Sequence, residues 1–105
     1  MAIAEDKQAS DILLLDLRQV SLIADYFVVC SAASDRQITA IQDEIVARLD
    51  READLTPQHV EGDPSSGWVL LDYGGVIAHI FSPAQRDYYR LEELWSAAQP
   101  LVRIH

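Results

Sequence analysis

The sequence predicts an α/β fold of the α+β kind: a single domain spanning residues 1–105, with a mixed β-sheet and helices flanking it. Three observations carry this. Residues 67–83 hold two runs rich in β-branched and aromatic residues on either side of Gly74-Gly75. Two earlier runs, within 11–17 and 26–30, are apolar enough to be strands covered on both faces. Segments after each pair of runs carry apolar residues three and four apart, the period of an amphipathic helix.

Met1 to Ser10 has room for a turn or two of helix and little else. Asp11 to Leu17, Asp-Ile-Leu-Leu-Leu-Asp-Leu, gives the first strand. A polar break with apolar anchors at Val20, Leu22 and Ile23 leads to the second, Tyr26-Phe27-Val28-Val29-Cys30. Ser34 and Gln37 then stand at capping-box spacing, so a helix begins there and runs to about Glu52. Ile38, Ile41, Ile45 and Leu49 form its inward stripe, and Arg48 and Arg51 suit the negative end of its dipole.

Pro57, Gly62 and Pro64 mark a loop, with a short strand at His59-Val60-Glu61. In the hairpin that follows, glycine alone accommodates the positive φ of a two-residue turn at Gly74-Gly75. That turn sets Tyr73 opposite Val76, Leu71 opposite Ala78 and Val69 opposite Ile80, a wholly apolar face suited to the core. The other face pairs Asp72 with Ile77, Leu70 with His79 and Trp68 with Phe81. It is too apolar for open solvent and too polar for an ordinary core, so it needs either a helix of this chain or another protein over it. Ser82-Pro83-Ala84-Gln85 repeats the capping pattern with proline at the first helical position. The last helix presents Tyr88, Leu91, Leu94 and Trp95 inward and stops at Gln99-Pro100, leaving Leu101 to His105 as a tail.

Composition narrows the function. Seventeen acidic against eight basic residues give a net charge of −9, which repels phosphate and disfavours bare nucleic acid or an anionic membrane as a partner. A basic protein suits it better. No apolar window is long enough to span a membrane, and the start lacks a basic-then-apolar signal, so the expected location is cytoplasmic. The single cysteine, Cys30, lies inside an apolar run and is expected to be a buried, inert thiol.

Little points to catalysis, and no cofactor is expected. His59, His79, His105 and Cys30 share no ligand spacing, which argues against a metal. The passage Cys30-Ser31-Ala32-Ala33-Ser34-Asp35 could bring helix amides to an anion, as in nucleotidyl transfer. That chemistry also needs clustered carboxylates for two metal ions, and the strands carry only the isolated Asp16 and Asp72. A nucleotide-binding or nucleotidyltransferase-like enzyme using Ser31, Ser34, Asp35 and Asp72 is the alternative reading. Asp72 and His79, sharing a hairpin face, could also form a diagonal hydrogen-bonded pair.

Several stretches resemble the ribosomal silencing factor family, RsfS, also called Iojap. They are Ala24-Asp25-Tyr26-Phe27-Val28-Val29-Cys30-Ser31, Ser34-Asp35-Arg36-Gln37, Val60-Glu61-Gly62, Trp68-Val69-Leu70-Leu71-Asp72-Tyr73-Gly74, His79-Ile80-Phe81 and Tyr89-Arg90-Leu91-Glu92-Glu93-Leu94-Trp95. They follow the family's order over nearly the whole chain. The resemblance implies a nucleotidyltransferase-like fold without catalytic carboxylates. It also implies a homodimer that binds the fourteenth protein of the large ribosomal subunit, blocks joining with the small subunit and represses translation in nutrient limitation. Two departures are a short segment before the first strand and Gly75 where the family commonly has aspartate. Hot spots of protein interfaces favour large aromatics, so the expected contact residues are Trp68 as anchor, Asp72 and His79 as polar neighbours, and Tyr73, Phe81 and Tyr89 as flanking aromatics.

Overall fold

The computed structural model describes residues 3, 4, 7, 9–19, 24–89 and 99–104, the last six and Tyr89 by their backbone alone. The predicted positions Val20, Leu22, Ile23, Leu91, Leu94, Trp95 and His105 lie outside the described residues.

The chain runs β1 (Ser10–Asp16), β2 (Tyr26–Ser31), α1 (Asp35–Ala53), β3 (His59–Asp63), a 3₁₀ turn (Pro64–Ser66), β4 (Trp68–Asp72), β5 (Val76–Phe81), α2 (Pro83–Tyr89) and β6 (Gln99–Ile104). These strands form one 6-stranded sheet in the order β3-β4-β5-β2-β1-β6. β2 and β5 are parallel and every other pair is antiparallel, which is the mixed sheet expected. β6 corrects the sequence reading, which left 101–105 as a tail. Proline stops a helix but is tolerated on an edge strand, and Pro100 sits across from Leu15 where the β1–β6 register slips.

The hairpin has the predicted register. Trp68 pairs with Phe81, Val69 with Ile80, Leu70 with His79, Leu71 with Ala78 and Asp72 with Ile77. The Tyr73 N–H donates to the Val76 carbonyl at 2.9 Å and closes the two-residue turn. Gly74 supplies the positive φ, 89°, as a turn with glycine first requires.

Ser34 caps α1 by accepting from the Gln37 N–H at 3.1 Å, and the Gln37 side chain accepts from Ala33 N–H at 2.7 Å. Ile38, Ile41 and Ile45 are buried against Val69, Leu71, Ile80, Ile12 and Cys30, forming the core on one side of the sheet. The other side has its own core of Leu13, Leu15, Leu17, Ala24, Phe27, Val29, Ile77 and Phe81. Both β1 and β2 contribute to each, so their near-continuous apolar runs reflect burial on both faces. Cys30 is buried, and loss of solvation pushes its thiol up to about 11, leaving it an unreactive apolar group.

Ser82 begins α2, its hydroxyl accepting from the Gln85 N–H at 3.3 Å. Tyr88, predicted to face inward, is 78% exposed. Arg86 takes the inward position instead: its guanidinium donates to the Asp11 carbonyl and to Ser31 Oγ at 3.0 Å, tying α2 to β1 and β2.

Candidate partner-binding surface

The predicted contact residues divide by strand. On β5, His79 and Phe81 are only 6% and 1% exposed, so neither offers surface to a partner. Their burial comes from packing within the mixed face. Phe81 and His79 lie parallel at 5.9 Å, with Phe27 edge-on to His79 at 4.7 Å. Trp68 stacks outside them, 6.5 Å from each ring.

The Trp68 indole N–H donates to His79 Nδ1 at 3.3 Å. An imidazole that accepts at Nδ1 and remains neutral carries its proton on Nε2, and burial pulls the His79 pKa down to about 4. Nε2 finds no hydrogen-bond partner among the described residues. The diagonal partner of His79 is therefore Trp68 and not Asp72. Asp72 turns to the hairpin instead, accepting from the Gly74 N–H at 2.8 Å.

What remains accessible on this face belongs to β4: Trp68, Leu70 and Asp72 are all half-buried. Edge strand β3 extends the patch. His59 stands across from Asp72 and Glu61 across from Leu70, and all of β3 is exposed. Directly opposed residues share a sheet face, so an acid and a histidine flank the apolar stripe. The sequence reading found a strand at 59–61 but did not register it against β4. Gly62 keeps the indole close to the edge, since a Cβ there would lie 2.9 Å from Trp68 Cε3.

Tyr73 projects to the opposite side of the sheet, beside α1, where it packs half-buried against the helix-side core. Burial raises its pKa. The side chain of Tyr89 lies outside the described residues.

The groups of the enzyme reading are not brought together. Ser31 receives Arg86, and Ser34 caps α1. Ser31 pairs with Phe81 at one end of β5, whereas Asp72 pairs with Ile77 towards the other, roughly 13 Å away by strand rise. Among the described residues no three His, Cys, Asp or Glu side chains converge as metal ligands, and no helix is long and apolar enough to cross a membrane.

Comparison with known proteins gives the chain its family. The family model described as ribosomal silencing factor during starvation matches residues 1–105. A ribosomal silencing factor RsfS of Bacillus subtilis is 44% identical over 97 residues, covering 92% of this chain and 81% of that one. The chloroplastic protein Iojap of Zea mays is 33% identical over 99 residues, covering 93% of this chain and 42% of its own length. A crystal structure from Chromobacterium violaceum superposes with a TM-score of 0.84 at 33% identity, covering 99% of this chain and 86% of that one. With the family model matched over its length and a structure that superposes on 99% of it, this chain belongs to the RsfS family of ribosomal silencing factors.

Proposed function

We propose that this protein is a cytoplasmic, homodimeric repressor of translation that binds the large ribosomal subunit through its fourteenth protein. By occupying that protein on the face that meets the small subunit, it blocks subunit joining sterically and needs no catalysis and no cofactor. The observation that carries the reading is the half-buried stripe Trp68, Leu70 and Asp72 beside exposed Glu61, on a chain of net charge −9.

Ribosomal proteins are basic because they sit on RNA. An acidic surface is steered to an exposed basic protein and repelled by the phosphates around it. Trp68 is the anchor: His79 and Phe81 hold its ring, so little rotamer freedom is lost on binding. Asp72 and Glu61 offer carboxylates to cations of the partner, and Tyr89, on α2, is proposed as a flanking aromatic contact.

Sucrose-gradient sedimentation with separated subunits tests this. The protein is expected to travel with large subunits and not with small ones, and in excess to reduce the joined fraction. Trp68→Ala, with its fold checked by circular dichroism, should bind large subunits about 30-fold more weakly, the equivalent of ~2 kcal/mol at a hot spot. Unchanged joining in the presence of excess protein would overturn the proposal.

A further inference from the structure

The helix-side face of the hairpin is not closed along its whole length. At the turn end, an apolar groove of about 350 Å³ opens between the C-terminal half of α1, the N-terminal residues Ile3 and Ala4, and the sheet, where Ile45, Leu49, Tyr73 and Val76 line it. That is more than twice the ~150 Å³ of a cavity that takes a benzene, in a class of structure whose interiors are otherwise close-packed. Its lips are built by the backbone. Asp54 ends α1 with φ 54°, and the Leu55 N–H returns to the Leu49 carbonyl at 3.1 Å, folding Leu55 back beside the helix stripe. Leu55 is 48% exposed and Val76, on the opposite lip, 39% exposed.

The exposed charges at the Leu55 and Val76 lips are acidic, and Lys7, beyond the Ile3 and Ala4 wall, is paired with Glu44 at 3.8 Å. Asp25 is exposed, and its carboxylate stands 3.1 Å from where a Cβ on Gly75 would lie, at the hairpin lip. Glu52 is exposed and continues the stripe of Ile45 and Leu49 by one further step of three. Asp54, also exposed, adjoins Leu55. On this stretch of α1, Arg48 is paired with Glu44 at 3.0 Å, and Arg51 lies two positions from Leu49, on the other side of the helix.

We propose that this groove is a second docking site, separate from the Trp68 stripe and across the sheet from it, and that its occupant is a cationic amphipathic helix. Branched aliphatic side chains of that helix fill the groove between Leu55 and Val76, and its lysines or arginines meet Asp25, Glu52 and Asp54. A second copy of this acidic chain would bring like charges to the same rim, and an anionic ligand would meet them too. Helix-in-groove recognition needs an apolar trough with complementary charge at the rim, and both are present.

The test is fluorescence anisotropy with a labelled synthetic peptide of leucine and lysine in amphipathic helical order, beside a scrambled peptide of the same composition. The ordered peptide should bind, with an affinity that falls as salt rises, at least ~10-fold more tightly than the scrambled one. Leu55→Lys and Val76→Lys, both at exposed positions, should each weaken binding by ~10-fold or more. Tyr88→Lys makes the same change in charge on the other helix and should alter it less than ~3-fold. Equal binding of the two peptides, equal loss in all three variants, or no loss at Leu55 and Val76 would each overturn the proposal. So would self-association of the wild-type protein that Val76→Lys abolishes, which would give the groove to a second copy.

Discussion

On the helix side of the hairpin, Val69, Leu71 and Ile80 are shut away beneath Ile38, Ile41 and Ile45, aliphatic against aliphatic. On the far side, Phe81 and His79 are covered partly by each other and by Trp68, through ring stacking and one hydrogen bond. The two faces alternate along the same strands, yet they close differently. Branched side chains need only complementary volume. A face that contains an imidazole must also meet its polar atoms, and here an indole donates to Nδ1 from a position where its own ring stays half-buried. The difference explains how one ribbon can be sealed core on one side and partly accessible on the other.

The sharpest way to break this comparison is to remove one ring and one aliphatic anchor. Phe81→Ala should cost ~4 kcal/mol in urea unfolding and Ile41→Ala ~3 kcal/mol, both being fully buried large-to-small changes. They should differ in a second readout. Phe81→Ala removes a ring that Trp68 stacks on, so its near-ultraviolet circular dichroism should change, whereas Ile41→Ala should leave that signal in the folded protein nearly intact. Equal spectral change in both would mean that the ladder does not fix the indole.

Acid should separate the faces next. The His79 pKa is lowered to about 4 in the folded protein, from an ordinary value of 6.5. The unfolded chain therefore takes up this proton first as the pH falls. The stability that a neutral, buried His79 provides is present in full above pH ~6.5, is lost progressively towards pH ~4 and falls no further below it, a loss on the order of 3 kcal/mol. His79→Phe removes the titration. Subtracting its denaturation profile across this window from that of the wild type should isolate the slope, and parallel profiles would show that His79 is not held neutral. The aliphatic face contributes no such slope.

How much of this was legible in the residues follows the same division. The hairpin register, the face assignment and the α1 stripe came from periodicity and from Gly74-Gly75, because strand alternation and helical spacing are local properties of sequence. Burial of His79 and Phe81 was not legible, because it depends on Phe27 arriving from β2, a neighbour set by the parallel pairing of distant segments. The same holds for Arg86, which occupies the inward position assigned to Tyr88: its partners Asp11 and Ser31 come from β1 and β2. β6 was hidden by Pro100, whose helix-stopping meaning is local while its place on a sheet edge is not.

The smallest expected effect sharpens the comparison within a single face. Val69 and Val76 both lie on the helix side of the hairpin, and the sequence alone treats them as equivalent core positions. Val69 is fully buried under α1, whereas Val76 stands at the open lip of the groove. Valine to threonine exchanges a methyl for a hydroxyl at nearly constant shape, so the cost reports on whether water can reach the site. Val69→Thr should lose ~2 kcal/mol, because its hydroxyl enters a dry aliphatic cluster with no partner provided. Val76→Thr should stay within ~0.5 kcal/mol of wild type, as exposed substitutions do. If thermal unfolding gave the two variants equal losses, the turn end of this face would be as tightly closed as its middle, and no groove would be there to receive a helix.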